Sequence, residues 1–345
     1  MQDRILVTGG TGFIGSHTVV ELTNNGYEAI IVDNLSNSRI SVLDGLEQIT
    51  GKSPLFENFD LCDLAKLRTF CRKYPDIRAI IHFAALKAVG ESVEKPLEYY
   101  GNNLISMINI LRIMREFNIP ALVFSSSCTV YGQPDTLPVT ESSPIKPANS
   151  PYGNTKQISE EIIRETIQAN PGLKAISLRY FNPIGAHPTA LIGELPLGVP
   201  QNLVPYITQT AIGIREELRV FGHDYDTPDG TGIRDYIYVV DLARAHVVAI
   251  KRLLADINKQ PYEVYNLGTG KGMSVLEVIH AFEKATGQKV KYRLHPRRPG
   301  DISSVYADTT LANQELGWKA EAGNEKIFLS AWKWEKHIRQ QENKT

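Results

Sequence analysis

The chain has 345 residues, of which 42% are hydrophobic and 22% charged, so it is long enough for one large or two modest domains with a real core. The net charge of -1 supplies no overall attractive field, and no apolar stretch approaches the roughly 18 to 20 residues that span a bilayer, so we expect neither a nucleic-acid nor a membrane partner. Three cysteines, Cys62, Cys71 and Cys128, are too few for a disulfide framework or a zinc cluster, and a cytoplasmic, reducing location is the simplest expectation.

Strand-like and helical patterns alternate along the first half of the chain. Short apolar runs predict strands at residues 4–10, 28–34, 79–85, 121–127 and 175–182. Helical patterns occupy 16–26, 104–118 and 154–170. Strands that alternate with helical crossovers predict an α/β fold with a Rossmann-type, doubly wound parallel sheet.

The composition of the sequence changes near Pro183, where Gly, Pro and other residues typical of loops become frequent. We therefore predict two domains, at residues 1–182 and 183–345, the second smaller and also α/β. Residues 235–254 are regular enough to suggest a helix, and we expect the segment 235–266 to pack back on the first domain.

A glycine-rich loop gives the first specific functional signal, in the stretch TGGTGFIGSH. Gly9, Gly12 and Gly15 are spaced three apart, follow a predicted strand and open a predicted helix. Such a loop lets a pyrophosphate approach the helix N-terminus, where free N–H groups favour negative charge. Three glycines alone also occur in turns that bind nothing, so the signal needs support from elsewhere in the chain.

Asp33 supplies that support, because it ends the second predicted strand 18 residues after Gly15. A carboxylate at this place can accept hydrogen bonds from an adenosine ribose and repels a 2′-phosphate, which favours NAD over NADP. Arg39 keeps NADP open as an alternative, although a single Arg in a polar loop is more often solvated.

Tyr152 and Lys156 stand four residues apart in SPYGNTK, so they share one face of a predicted helix. A tyrosine that acts as a base near pH 7 needs its pKa lowered by about 3 units, roughly 4 kcal/mol, and a nearby ammonium can supply this. Ser127 ends a predicted parallel strand, at the edge where open α/β sheets bind ligands. These three residues are the predicted catalytic set.

At these residues the chain resembles the extended short-chain dehydrogenase/reductases, and within them the UDP-glucose 4-epimerase family, over nearly its whole length. The stretches that carry the resemblance are VTGGTGFIGSHT, VDNLSNS, HFAALKAVGESVEKPLEYY, FSSSCTVYG, SPYGNTK, LRYFNPIGAHP, DGTGIRDYIYVVDLA, YNLGTG and RRPGD. The resemblance implies that the first domain binds NAD and that the second binds a UDP-sugar.

The same resemblance implies residue roles. Tyr152 would be the catalytic base and acid, Ser127 would assist at the sugar O4, and Lys156 would hold the nicotinamide ribose. The positions implied to bind NAD are Gly9, Gly12, Phe13, Ile14, Gly15, Asp33, Asn34, Asn37, Ser38, Asp60, Leu61, Phe83, Ala84, Ala85, Lys87, Asn102, Tyr152, Lys156 and Tyr180. Those implied to bind the UDP-sugar are Lys87, Ser127, Tyr152, Phe181, Asn182, Asn202, Leu203, Val220, Phe221, Arg234, Arg298, Asp301 and Val305. No metal site is expected, since the histidines do not cluster with acidic residues.

The implied reaction is reversible 4-epimerisation of UDP-glucose and UDP-galactose, through a 4-keto intermediate and transient reduction of tightly bound NAD. A nucleotide-sugar dehydratase or oxidoreductase is the alternative enzyme, but it needs a further acid or base, and Cys128 and Thr129 stand where a carboxylate would be expected. A non-enzymatic NAD(H) sensor is a third possibility, although it has no need of the predicted catalytic set.

Two positions depart from the family pattern. Phe59 precedes Asp60 where relatives usually have Gly, which could crowd the adenine side. Val305 stands four residues after Asp301, where the family pattern links a bulky aromatic to simple hexoses and a small residue to 2-acetamido sugars. We therefore predict activity on UDP-GlcNAc and UDP-GalNAc as well.

The two long helical patterns also carry apolar positions whose partner the sequence leaves open. These are Leu104, Ile108, Leu111, Ile158, Ile162 and Ile163. They can pack on the sheet, or, as the resemblance implies, form a four-helix interface in a twofold homodimer.

Overall fold

The computed structural model describes residues 2–298 and 301–342. Its strands are β1 (Arg4–Thr8), β2 (Glu28–Asp33), β3 (Leu55–Asn58), β4 (Ile77–His82), β5 (Ala121–Ser127), β6 (Lys174–Tyr180), β7 (Asn182–Ile184), β8 (Leu218–Phe221), β9 (Ile233–Tyr238), β10 (Tyr262–Leu267), β11 (Gly272–Ser274), β12 (Tyr292–His295) and β13 (Ser304–Val305). Its helices are α1 (Phe13–Asn24), α2 (Val42–Thr50), α3 (Leu64–Lys73), α4 (Val89–Glu94), α5 (Pro96–Glu116), α6 (Pro151–Ala169), α7 (Leu203–Ala211), α8 (Val239–Leu254), α9 (Val275–Thr286) and α10 (Asn324–Glu342).

Seven strands form the main sheet in the order β3-β2-β1-β4-β5-β6-β10. Every neighbouring pair is parallel. The chain starts in the middle of the sheet at β1, runs outward to β3, and then returns to build the other side from β4. This reversal opens a crevice at the carboxyl ends of β1 and β4, which is where doubly wound sheets bind their ligands.

Helices cover both faces of the main sheet, because its strands are apolar on both sides. On one face, α8 packs against α1, and Leu242, Ala245 and Leu253 join a buried cluster with Ile5 and Val123 of the sheet. The opposite face is covered by α3, α5 and α6. The core of the molecule therefore lies in two layers, one on each side of the sheet.

A second region surrounds short strands outside the main sheet. Strand β9 pairs with β7 and β13 in parallel and with β11 in antiparallel orientation, and β8 pairs with β12. A third buried cluster, which includes Ile207, Tyr236, Ile279 and Phe328, packs beneath these strands. This region supplies side chains to one end of the crevice without joining the sheet that forms it.

The predicted doubly wound sheet is confirmed, and the predicted strand at 121–127 coincides with β5. The segment from residue 235 divides in a way that its sequence did not predict. Ile233–Tyr238 is strand β9 of the second region, and the helix begins only at Val239. The helix then lies on the main sheet, which β10 extends. The boundary between residues 182 and 183 stays a prediction.

Candidate active site

The glycine loop joins β1 to α1 through a turn that requires its glycines. Gly9 has a positive φ of +69°, and its N–H donates to the carbonyl of Val32 at 2.8 Å. A Cβ on Gly15 would lie 2.2 Å from the carbonyl oxygen of Gly9, which no real contact allows. The absence of side chains brings the backbone of β1 and the start of α1 together, so the N–H groups of the first turn remain open to a phosphate.

Asp33 ends β2 beside this loop. Its carboxylate accepts hydrogen bonds from the N–H of Leu35 at 2.9 Å and of Thr11 at 3.3 Å, and from the hydroxyl of Ser38 at 3.3 Å. These bonds fix the carboxylate at the edge of the crevice. A carboxylate offers about four acceptor sites, so it can still accept a hydrogen bond from a ribose hydroxyl.

Tyr152 owes its position to the start of α6. The hydroxyl of Ser150 caps the helix by accepting from the N–H of Gly153 at 3.2 Å, and Pro151 occupies the first helical position. Both features are typical of a helix N-terminus. Tyr152 therefore stands in the first turn, close to the positive end of the helix dipole, which stabilises a phenolate.

Lys156 lies one turn later, and its side chain is almost fully buried. Its Nζ lies 5.8 Å from the centre of the Tyr152 ring, and donates a hydrogen bond of 2.6 Å to the carbonyl of Ser125. Burial lowers the pKa of Lys156 to about 7, and the negative charge of Glu160 partly opposes this shift. The predicted proximity is present, but the ammonium is held by β5 rather than by the phenol.

Burial raises the pKa of Tyr152 to about 12, and a hydrogen bond with Ser127 opposes the rise. The expected lowering of this pKa by Lys156 is thus not a property of the protein groups taken alone. A cation bound over the crevice would favour the phenolate, because opposite charge stabilises the charged form of an acid.

The end of β6 completes the centre of the crevice. Tyr180 is the register partner of Ser127, and its hydroxyl makes a hydrogen bond with the hydroxyl of Ser125. Its ring packs against His246 of α8, with 5.9 Å between the ring centres. The adjacent parallel strands β5 and β6 therefore present three hydroxyl groups to the crevice, those of Ser125, Ser127 and Tyr180.

The crevice brings together almost all of the predicted cofactor residues. Its walls include Gly9, Gly12, Phe13, Ile14, Gly15, Asp33, Asn34, Asn37, Ser38, Asp60, Leu61, Phe83, Ala84, Ala85, Lys87, Asn102, Tyr152 and Tyr180. Lys156 lies behind this wall. Of the predicted substrate residues, the same crevice includes Lys87, Ser127, Tyr152, Phe181, Asn182 and Asn202. Phe59 lies on the wall as well, beside Asp60.

Other predicted substrate residues lie outside this wall, in the second region. Arg234 of β9 is in register with Val305 of β13, and its guanidinium donates to the carbonyl of Ile302 at 2.8 Å. Val305 is buried and shares a small apolar cluster with Phe181, which does line the crevice. Val305 thus belongs to the apolar cluster that includes one residue of the crevice wall.

Arg298 and Asp301 form an ion pair with each other, with 2.9 Å between Nε and Oδ2. The guanidinium of Arg298 also lies over the ring of Phe221, 5.1 Å from its centre. Val220 is buried in the third cluster, and Leu203, at the start of α7, packs against that cluster. These predicted residues gather around β8 and its neighbours rather than on the dinucleotide side.

Glu194 lies beside the predicted substrate residues, although the sequence analysis did not predict it as a site residue. Its carboxylate lies 3.8 Å from Nζ of Lys87 and accepts a hydrogen bond from the amide of Asn202, so it joins two predicted substrate residues. Burial raises its pKa above the ordinary value for a glutamate. No periodicity in the loop that carries it could have revealed these partners.

The crevice fits a dinucleotide on its own geometry. The glycine cradle would be filled by a single Cβ, Asp33 stands at the end of β2, and the hydroxyl-bearing strands lie opposite α1. Across residues 2–298 and 301–342, no three His, Cys, Asp or Glu side chains are grouped so as to bind a metal, and no helix is long and apolar enough to cross a membrane.

Comparison with known proteins agrees with this geometry. Residues 5–268 match the model of the NAD dependent epimerase/dehydratase family. UDP-glucose 4-epimerase from Bacillus subtilis is 50% identical over 331 residues, which are 96% of each chain. A crystal structure of the UDP-glucose-4-epimerase from Stenotrophomonas maltophila, with bound NAD and formylated UDP-arabinopyranose, is 46% identical with a TM-score of 0.95, over 99% of this chain and 100% of that one.

A further solved structure is similar over nearly the whole chain. UDP-glucose 4-epimerase from Bifidobacterium longum, in complex with NAD+ and UDP, is 50% identical with a TM-score of 0.92, and the match covers 97% of this chain and 99% of that one. The resemblance expected from the sequence motifs is confirmed. The chain belongs to the NAD dependent epimerase/dehydratase family.

Proposed function

We propose that this protein is a UDP-glucose 4-epimerase, which interconverts UDP-glucose and UDP-galactose with a retained NAD. The observation that carries the proposal is the meeting of Ser127, Tyr152 and the glycine loop in a single crevice. A dinucleotide loop alone would suit a sensor, but a proton-transfer pair beside it suits chemistry at a hydroxyl-bearing carbon.

Tyr152 takes the proton from the sugar O4 when the 4-keto intermediate forms. It returns the proton when that intermediate is reduced again in the same turnover. Ser127 donates a hydrogen bond to the same oxygen, and its position at the end of β5 brings it next to the phenol. When bound, NAD supplies a reversible two-electron acceptor for C4 of the sugar. The positive ring of an oxidised nicotinamide would oppose the burial that raises the pKa of Tyr152.

The glycine loop and Asp33 would hold NAD, and Lys156 would bind the nicotinamide ribose. The UDP part is held by Asn182, Asn202, Arg234, Arg298 and Asp301. Two arginines suit a diphosphate because each guanidinium is permanently charged and offers a planar pair of donors. Tight anchoring at UDP and loose contact at the hexose let the keto sugar present its other face.

We expect the reaction to stop at epimerisation because Cys128 and Thr129 follow Ser127, where a dehydratase would need a carboxylate. Burial raises the pKa of the Cys128 thiol to about 12, so this side chain is neutral near pH 7 and is no general base. A dehydratase or oxidoreductase remains the second candidate, and it differs by a product of altered mass or by net consumption of cofactor.

The narrower proposal concerns 2-acetamido sugars. Val305 belongs to the same buried apolar cluster as Phe181, which lines the crevice, so the volume at residue 305 would bear on the space beside the hexose. Valine leaves more room than an aromatic residue there, and we propose turnover of UDP-GlcNAc and UDP-GalNAc. Val305→Tyr should remove turnover of UDP-GalNAc and retain that of UDP-galactose; absence of UDP-GalNAc turnover by the unaltered protein would contradict the proposal.

The decisive experiment incubates the purified protein with UDP-galactose and no added cofactor. UDP-glucose of unchanged mass supports the epimerase, while a product of lower mass supports a dehydratase. If no NAD is released on denaturation and no UDP-sugar is converted, both enzyme proposals are wrong.

We also propose a homodimer through α5 and α6. Leu111 and Ile163 are buried in the core, whereas Leu104, Ile108, Ile158 and Ile162 are only partly buried in the single chain. The second group would pack on a partner. Sedimentation at micromolar concentration tests this, and a monomer would contradict it.

The cytoplasmic location stays a prediction. The sulfurs of Cys62, Cys71 and Cys128 are unpaired.

A further inference from the structure

A row of polar side chains is buried on the face of the main sheet that α6 covers. Ser126 of β5, Arg179 of β6 and Asn266 of β10 are register partners across three neighbouring strands. We call these three residues the support row. All of them are nearly inaccessible to solvent, which is unusual for an arginine and requires compensating partners.

Glu160 of α6 supplies the main compensation. Its Oε1 accepts a hydrogen bond from the hydroxyl of Ser126 at 2.5 Å and another from Nε of Arg179 at 3.0 Å. Its Oε2 accepts from Nη2 of Arg179 at 2.6 Å. One carboxylate thus ties a helix to the ends of two strands, through a two-pronged geometry that arginine and carboxylate groups favour.

The network continues to the outer strand. Nη1 of Arg179 donates to the hydroxyl of Tyr131 at 3.0 Å, and that hydroxyl donates to Oδ1 of Asn266 at 2.6 Å. The N–H of Asn266 donates to a carboxylate oxygen of Glu141 at 2.7 Å. Ser126, Arg179 and Asn266 each have hydrogen-bond partners. A fully satisfied polar network of this kind makes the region rigid.

The support row and the active site use alternate residues of the same strands. Successive side chains of a strand point to opposite faces, so Ser126 and Arg179 face α6 while Ser127 and Tyr180 face the crevice. Lys156 precedes Glu160 by one helical turn. The carboxylate therefore sits where it can fix both the strand ends and the charge environment of Lys156.

We propose that Glu160 is a positioning residue for the reaction, an inference that rests on the proposed function: its carboxylate fixes Ser126 and Arg179 behind the crevice and supplies the negative charge that faces Lys156. Other groups that face Lys156 are Tyr152 on the same helix, His82 on β4, and the carbonyl of Ser125 and ring of Phe124 on β5. Glu160 is the acidic group whose negative charge raises the pKa of Lys156.

A purely structural role is the alternative, because any buried ion pair that loses one partner destabilises a protein. The chain offers a matched control. Arg252 and Glu263 form an equally buried pair between α8 and β10, with bonds of 2.7 and 2.9 Å. Glu263→Gln should cost comparable stability but should leave Lys156 unaffected.

The test measures the titration of Lys156 by NMR in protein labelled with 13C at the lysine ε-carbons, with Lys156→Arg to assign the signal. Glu160→Gln should lower the midpoint by about one pH unit or more, because it removes a nearby opposite charge and leaves Arg179 unpaired. Glu263→Gln should keep the midpoint of the unaltered protein. An unchanged midpoint in Glu160→Gln, or an equal shift in both variants, would overturn the inference.

The double variant Glu160→Gln/Arg179→Met covers the case in which Glu160→Gln fails to fold, since it leaves no unpaired buried charge. It should lower kcat by about tenfold or more with a smaller change in KM, because the strand ends lose their anchor. A kcat equal to that of the unaltered protein would contradict the positioning role. The titration needs no turnover, so an inactive unaltered protein would defeat the proposed function without deciding this inference.

Discussion

The two ends of the crevice are built in different ways. The dinucleotide end is made from backbone: the loop at Gly9, the first turn of α1 and the carboxyl ends of adjacent strands. The other end, which we propose binds UDP and call the UDP end, contains long side chains of separate segments, and some of these are already paired with one another. Arg298 pairs with Asp301, and Lys87 lies beside Glu194.

We expect this difference to separate a retained cofactor from an exchanging substrate. A cradle of backbone N–H groups exists before its ligand arrives and loses little entropy on binding, which suits a cofactor that stays. Arginine and lysine side chains that pair internally must change partners when a diphosphate binds. The ion pair of Arg298 is more than half exposed on its arginine side, so it is weak enough to give way.

The largest expected effect tests the backbone cradle. Gly15→Ala should eliminate retained NAD and with it the activity, because the new Cβ would meet the carbonyl of Gly9 at 2.2 Å. Release of cofactor on denaturation, quantified by absorbance, measures this. Gly90→Ala is the control, since no atom lies within 4 Å of its Cβ position. A full complement of NAD in Gly15→Ala would show that the cradle is not the binding site.

The next effect lies where the two ends meet. Tyr152→Phe should lower kcat about a thousandfold while NAD stays bound, because only the proton-transfer group is removed. Turnover of UDP-galactose and the amount of retained NAD, measured on one preparation, separate chemistry from binding. If the phenylalanine variant keeps a tenth of the activity, another group must move the proton.

At the UDP end we expect a binding effect. Arg298→Ala should raise KM for UDP-galactose about 10- to 100-fold, the usual worth of a charged hydrogen bond, with little change in retained NAD. The KM of the unaltered protein should also rise with salt more steeply than that of the variant. Loss of NAD from Arg298→Ala would contradict the division between the two ends.

The smallest effect concerns stability around the dinucleotide end. Burial lowers the pKa of His17 and His82 to about 3 and that of His246 to about 4. The unfolded chain protonates its histidines near pH 6.5, so between pH 6.5 and about 4 it binds more protons than the folded protein. Stability should therefore fall as the pH falls, by at most about 1.4 kcal/mol per pH unit for each histidine.

Urea unfolding between pH 7.5 and 5 measures this dependence. His246→Leu should flatten it, because the variant removes one of the three groups and leaves the others in place. An equal slope in the variant would mean that His246 is protonated in the folded protein despite its burial.

The sequence indicated the dinucleotide end more completely than the UDP end. Glycine spacing, the carboxylate at the end of a strand, and a Tyr and Lys four residues apart are local patterns, and local patterns follow from the geometry of single turns and helices. Val305 shows the limit: the family resemblance suggested a place beside the sugar, and the structure shows that Val305 is buried in the same apolar cluster as Phe181, which lines the crevice.

By itself, the sequence determined the alternation of strands and helices, the glycine turn and the helix start that carries Tyr152, because short-range sterics and periodicity decide these features. Only the tertiary structure decided that Lys156 donates to Ser125, that Glu194 joins Lys87 to Asn202, and that Glu160 lies against Ser126 and Arg179. Such contacts join residues that are distant in the chain, or on different elements, and they depend on strand order and register, which no local pattern encodes.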